Sequence, residues 1–212
     1  MKIAETAKLF ENAFRAVNIG LVNEMKMFAN QLKINMHDVV EAAASKPFGF
    51  RKFGPGPGVG GHCVPIDPMF ISWIAKKNKF ETKFINLSSS INKKVTLWTL
   101  NNIIKNFPKK KIKKCLVVGI AYKKDIDDVR GSPALYIFSK LKTKKNIYPD
   151  YYDPYVKSVK INNQIIKSVK TKNLFFNNYD CVILLTDHSN INYKKILSEA
   201  KLIIDTRSVY RN

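Results

Sequence analysis

The sequence lacks any run of about 18 apolar residues, and it holds only three cysteines, three histidines and 16 acidic side chains against 37 basic ones. The first shortage removes a membrane-spanning helix. The second removes a disulfide framework, because Cys63, Cys115 and Cys181 are odd in number and lack the paired spacing of metal ligands. The expectation is a cytoplasmic protein kept reduced, with no metal site. The third leaves a formal charge of +21, which in clustered form would point to nucleic acid through counterion release. Here the lysines are dispersed, and their runs at 109–111 and 142–145 fall in expected linkers or helix ends. Solvated basic faces are therefore expected, with no nucleic-acid or membrane partner, and an anionic small substrate is compatible with the charge. The opening MKIAETAKLFENAF reads as an amphipathic helix and lacks the apolar centre of a signal peptide.

What is present is enough to fold. With 212 residues, 45% of them apolar, the chain can bury a core in one large domain or two small ones. From Ile3 to about Leu32 apolar residues recur at helical spacing (Leu9, Ala13, Ala16, Val17, Leu21, Met25, Phe28), predicting one long helix. A second helix is expected from His37 to Lys46, stopped by Pro47, and then an irregular stretch to Pro68, too rich in glycine and proline for regular structure. Asp67 or a neighbour can cap the next helix, with Pro68 at its first position and Met69, Phe70, Trp73 and Ile74 on its apolar side. A further helix is expected from Ile85 to Phe107.

Pro108 and the lysines after it read as a domain junction, so the chain divides into 1–107 and 108–212. Beyond the junction strands and helices alternate. The run CLVVGIAY, Cys115 to Tyr122, suits a strand buried on both faces, and Ser132 with Pro133 supplies an N-cap and first position for a helix to about Leu141. Ile147–Tyr152, Cys181–Leu185 and Leu202–Asp205 are further strands, with a helix over Tyr193–Ala200. The fold class expected is α/β: an all-helical domain followed by a small, doubly wound, Rossmann-like parallel sheet.

GPGPGVGGHCVPIDP, Gly54 to Pro68, carries the most chemistry. Gly56, Gly58 and Gly61 have the spacing G-x-G-x-x-G, but a dinucleotide fingerprint follows a strand and opens a helix, and here prolines interrupt it and no strand precedes it. The glycines instead permit close approach of a ligand. Cys63 and Asp67 then place a thiol and a carboxylate four residues apart. A lone cysteine is commonly a small core residue; its accessible, glycine-rich setting beside His62 makes a nucleophile an equal reading.

GPGVGGHCVPIDP resembles the catalytic-cysteine motif of the UDP-sugar and GDP-sugar 6-dehydrogenases, the UDP-glucose/GDP-mannose dehydrogenase family. Its GHC-x-x-x-DP form is closest to the branch acting on UDP-N-acetylglucosamine or UDP-N-acetylmannosamine. AETAKLFENAFRAVNIGLVNEM, Ala4 to Met25, is similar to the family's helix that links the cofactor and central domains. GIAYKKDIDDVRGSPAL, Gly119 to Leu135, resembles the start of its C-terminal nucleotide-binding domain, and IIDTR, Ile203 to Arg207, also corresponds. The resemblance implies that 1–107 is a central domain for dimerisation and the catalytic cysteine, that 108–212 binds a UDP-sugar, and that the N-terminal NAD-binding Rossmann domain of the family is absent here.

The chemistry it implies is oxidation of a sugar C6 alcohol to the uronate in two NAD-dependent steps, as in making precursors of surface polysaccharides. The aldehyde between the steps is held as a thiohemiacetal, oxidised to a thioester. By the resemblance Cys63 is the nucleophile, Lys8 and Asn12 stabilise alkoxide or orient water, and Asp67 assists water or the thiol. Gly58, Gly60, Gly61, Lys123 and Arg207 fall at substrate-binding positions, and Arg130 at a position reaching the cofactor pyrophosphate. Read without it, Lys8 and Asn12 are solvated helix residues, Asp67 is a cap, and Lys123, Arg130 and Arg207 are surface or ion-pairing groups. Arg130 in particular can pair with Asp127 or Asp128. His62 is read as a loop residue, Arg51 lies near the place where some relatives supply an arginine across a dimer, and Cys115 and Cys181 are structural. The partners expected are a UDP-sugar, a second copy through the long first helix, and a separately supplied NAD-binding domain. The alternative is a UDP-sugar-binding or dimerisation remnant without redox activity.

Overall fold

A computed structural model describes residues 2–109 and 113–210; Lys110, Lys111 and Ile112, in the expected junction, lie outside them. Two compact units divide between Trp98 and Thr99. The first has helices as its only regular structure among the described residues: α1 (Lys2–Gln31), α2 (Met36–Ala44), α3 (Asp67–Lys77) and most of α4 (Lys83–Lys105), with an irregular segment between α2 and α3. Asn35 caps α2, its side chain accepting from the His37 amide.

The inward face of α1 is made of small residues and amides. Asn12, Ala13, Ala16, Gly20, Val22, Asn23 and Ala29 are buried, and a Cβ on Gly20 would meet the Ser88 Cβ at 3.3 Å, so α1 and α4 approach closely there. Leu21, Met25 and Phe28, expected on the buried stripe, are instead 57%, 38% and 52% exposed. The apolar side of α3 is likewise open, with Phe70 53% and Trp73 52% exposed. Helical periodicity locates an apolar face without saying what covers it.

In the second unit four parallel strands form a sheet in the order β2-β1-β5-β6: β1 (Lys113–Val118), β2 (Ile147–Tyr152), β5 (Cys181–Leu184) and β6 (Ile203–Asp205). Alternate side chains of β1 and β5 feed two apolar clusters. Cys115, Val117, Cys181 and Ile183 pack with α5 (Pro133–Lys142) and with Leu100, Ile103 and Phe107 at the end of α4. Leu116, Val118, Val182 and Leu184 pack with Ile196 of α6 (Tyr193–Glu199), Leu174 and Phe176. Cover on both faces explains the near-continuous apolar run of β1. It also places the unit boundary inside α4, whose last turns belong to the second core.

The strand reading of 115–122 runs too long. β1 ends at Val118 because Gly119 turns the chain at φ +79°. A hairpin, β3 (Ser158–Ile161) and β4 (Gln164–Lys167), was not expected from the sequence. Its two-residue turn is Asn162-Asn163, both at positive φ (47° and 62°), which is the geometry of a tight hairpin turn.

Gly119 is sterically required, since an added Cβ would lie 2.2 Å from the Thr186 carbonyl oxygen at a φ that L-residues avoid. Gly119→Ala is expected to cost on the order of 2–4 kcal/mol, measured as a lowered urea midpoint of the second unit by far-UV circular dichroism.

Candidate functional site

The irregular segment between α2 and α3 presents Cys63, and it is fastened to α1 at two points. At the first, the buried Gly56 amide donates to Asn23 Oδ1 at 3.0 Å, and Lys26 Nζ donates to the Gly56 carbonyl at 3.3 Å. Asn23 is fully buried, and its Nδ2 donates to Asn92 Oδ1 of α4 at 3.4 Å. At the second, Asn12 Nδ2 donates to Asp67 Oδ2 at 2.6 Å, while Asn12 Oδ1 accepts from Arg15 Nη1 at 3.3 Å. Asn12 is 1% exposed. The two asparagines are 11 residues apart, just over three whole turns, so they share one helix face about 16 Å apart.

Between these points Gly58 and Gly61 adopt φ of 148° and 84°, values open to glycine at little cost, whereas Gly60 has no positive φ. The Cys63 carbonyl accepts the amides of Ile66 (3.1 Å) and Asp67 (2.8 Å), closing a turn that runs into α3. The cap of α3 is Ile66, with no side-chain cap bond. Asp67 therefore does not cap the helix as expected, since its carboxylate is turned to Asn12.

Cys63 is a free, half-buried thiol, with His62 Nε2 at 3.5 Å from its Sγ. Cys115 and Cys181 are completely buried and paired in register on β1 and β5. The Cys115 thiol is pushed up by its hydrogen bond to Cys181 and by burial, as suits an inert structural thiol.

Lys8 is not gathered with Asn12. Its ammonium lies 3.2 Å from Glu11, its side chain is 62% exposed, and Arg15 holds the other Glu11 oxygen at 3.1 Å. The hydrogen bond and charge of Lys8, followed by the charge of Arg15, hold the Glu11 carboxyl below its usual range. Arg51 is exposed, with its guanidinium 6.0 Å from the Phe14 ring.

In the second unit the sites expected for a nucleotide lie at the carboxyl ends of the parallel strands, where open α/β sheets bind ligands. Lys123 is exposed on the loop after β1. Arg207, just after β6, donates from Nε to Asp187 Oδ1 at 2.8 Å. Arg130 forks onto Asp128, with Nη2 to Oδ2 at 2.7 Å and Nε to Oδ1 at 3.1 Å, the pairing that the sequence left open.

Two residues at the same strand ends were not singled out in the sequence. Asp153, directly after β2, accepts from the amides of Ile120 (2.7 Å), Ala121 (3.2 Å), Tyr155 (2.9 Å) and Val156 (3.0 Å). His188, after β5, sets Nε2 3.0 Å from Asp153 Oδ2 and accepts the Asp125 amide on Nδ1 at 2.9 Å. Burial alone would raise the Asp153 carboxyl, but the His188 and backbone hydrogen bonds outweigh it and hold it below its usual range. A polar residue immediately after a parallel strand was the available signal. Among the described residues no group of three or more His, Cys, Asp or Glu could hold a metal ion, and no helix is long and apolar enough to cross a membrane.

Two models of the UDP-glucose/GDP-mannose dehydrogenase family match the chain: the central domain over residues 2–94 and the UDP binding domain over 116–212. A UDP-N-acetyl-D-mannosamine dehydrogenase of Methanococcus vannielii is 34% identical over 97% of this chain and 48% of its own length. One of Methanocaldococcus jannaschii is 33% identical over 98% of this chain and 48% of its own. Among solved structures, the UDP-N-acetyl-mannosamine dehydrogenase of Pyrococcus horikoshii superposes with a TM-score of 0.79 at 29% identity, over 97% of this chain and 48% of that one. That of Staphylococcus aureus gives 0.75 at 33%, over 96% and 47%. The chain thus spans about half the length of the relatives it matches.

Removing the Asn23 side chain would leave the buried Gly56 amide without its acceptor, a loss of about 1–3 kcal/mol. Asn23→Ala is expected to show this in urea unfolding of the first unit, with faster hydrogen exchange at the Gly56 amide and little change at amides of the second unit.

Proposed function

Because the chain belongs to the UDP-glucose/GDP-mannose dehydrogenase family, we propose that it is the thiol-bearing and UDP-sugar-binding part of a nucleotide-sugar 6-dehydrogenase. The substrate is a UDP-N-acetylhexosamine, foremost UDP-N-acetylmannosamine, which the names of its relatives favour. The observation that carries the reading is the single half-buried thiol, on a glycine-rich loop tied at both ends to one helix.

In this reading the thiolate of Cys63 adds to the aldehyde carbon that a first oxidation leaves at C6, and the aldehyde oxygen becomes that of a thiohemiacetal. Loss of hydride from the same carbon gives a thioester, and water releases the uronate and the free thiol. Asn12 and Asp67, joined at 2.6 Å, are the pair that orients water. Lys8 joins them by leaving the exposed Glu11, which holds it only weakly. Gly58, Gly60 and Gly61 allow the sugar to approach the loop, and Lys123 and Arg207 meet the diphosphate.

The hydride acceptor is NAD in this reading, and the described residues do not fit it: Gly56, Gly58 and Gly61 follow no strand and open no helix. Its site would come from another part of the enzyme, with Arg130 reaching the pyrophosphate once released from Asp128. The exposed apolar residues of α1, Phe10, Leu21 and Phe28 among them, support a homodimer through that helix. A cytoplasmic setting and a product used in surface polysaccharide belong to the same proposal.

The test is to mix or fuse the purified chain with the NAD-binding half of a relative and to add UDP-N-acetylmannosamine and NAD. Two NADH per sugar are expected, and Cys63→Ser is expected to stop the reaction after the first hydride transfer, with at most one NADH and no uronate released. UDP-sugar binding with no NADH under any pairing would overturn the redox reading in favour of a binding module.

A further inference from the structure

The loop that carries Lys123 is fastened at nearly every residue around it. The Gly119 amide donates to the Tyr152 carbonyl at 2.9 Å and the Tyr122 amide to the Asp128 carbonyl at 3.0 Å. The amides of Ile120 and Ala121 both donate to Asp153 Oδ2. Ser132 Oγ donates to the Ile120 carbonyl and Thr186 Oγ1 to the Ala121 carbonyl, each at 2.7 Å. On the far side the Asp125 amide donates to His188 Nδ1, and the Asp125 carboxylate accepts the Ser189 amide and hydroxyl, both at 2.7 Å. Only Lys123 and Lys124 are left to project, and both are exposed.

His188 joins the two sides of this loop. With Nδ1 accepting, the ring's proton sits on Nε2 and is donated to Asp153, so one neutral tautomer satisfies both bonds. His188 is fully buried and Asp153 is 3% exposed, which makes the loss of either partner costly. Asp125 sits at φ +59°, a conformation disfavoured for its side chain and held by these bonds.

We propose that His188, through Asp153 and the Asp125 amide, is the positioning residue of the nucleotide site, holding the 119–125 loop so that Lys123 stands ready for the diphosphate of a UDP-sugar. The inference rests on the UDP-sugar reading above. His188 itself does not touch the ligand; it spares the ligand the cost of ordering the loop, which is how preorganisation raises affinity.

The test is a double-mutant cycle on UDP-N-acetylmannosamine affinity, by titration calorimetry of the whole chain: wild type, Lys123→Ala, His188→Leu and the double variant. Each single change is expected to weaken binding about tenfold or more, and the double no more than Lys123→Ala alone, since a displaced Lys123 has nothing left to lose. His188→Gln, whose Nε2 can still donate to Asp153 but which has no acceptor at the position of Nδ1 for the Asp125 amide, serves if the leucine variant does not fold, and the same non-additivity is expected of it. Wild-type affinity in a folded His188 variant, or losses that multiply in the double, would overturn the positioning role while the nucleotide site stands. A wild-type chain that does not bind the UDP-sugar would overturn the nucleotide site and this inference with it.

Discussion

Two buried asparagines on one face of α1 set the position of the loop that bears Cys63. Asn23 takes the Gly56 amide at the start of the loop and Asn12 takes the Asp67 carboxylate at its end. A segment with this much glycine loses a large conformational entropy on ordering, and few apolar side chains are available within it to offset that loss. Hydrogen bonds to buried amides are an alternative anchor, because leaving either partner unmatched in the interior costs more than the bond itself contributes. The helix can serve this way because its inward face is otherwise small: Ala13, Ala16 and Gly20 let α4 and the loop approach its backbone.

The second unit solves the same problem differently. Its two central strands, β1 and β5, are covered on both faces, so their inner residues are fully buried and apolar. Polar groups gather at the carboxyl ends of these strands, and Asp153 there is saturated: it accepts four backbone amides and the His188 ring. In the proposed function, the exposed lysines beside these rigid strand ends meet the diphosphate, whose recognition gains from fixed cations. The excess of basic side chains in the composition is otherwise spread over the solvated surface.

Much of this was legible in the sequence. The apolar runs of β1 and β5, the Ser132-Pro133 start of α5 and the length of α1 follow from local pattern and capping chemistry. Three features went unread. The Asn162-Asn163 hairpin was within reach, since two asparagines between alternating apolar residues are a turn signal. The exposure of Leu21, Phe28 and Trp73 was out of reach, because periodicity gives a face and not its cover. Pairings such as Asn12 with Asp67, 55 residues apart, and Asp153 with His188 need the fold itself. Local propensity pointed to Asp67 as a cap, and the tertiary partner won.

Cys63 differs from its two fellow cysteines in the way the account requires: it alone is accessible, while Cys115 and Cys181 are sealed in the sheet. Alkylation of the native chain by iodoacetamide therefore reports on Cys63. The most direct measurement is its alkylation rate in the presence of the C6 aldehyde of UDP-N-acetylmannosamine, compared with the parent alcohol. Strong protection by the aldehyde, well beyond that given by the alcohol, is the predicted result, since only the aldehyde can form the thiohemiacetal. An alkylation rate that the aldehyde leaves no lower than the alcohol does would contradict Cys63 as the nucleophile.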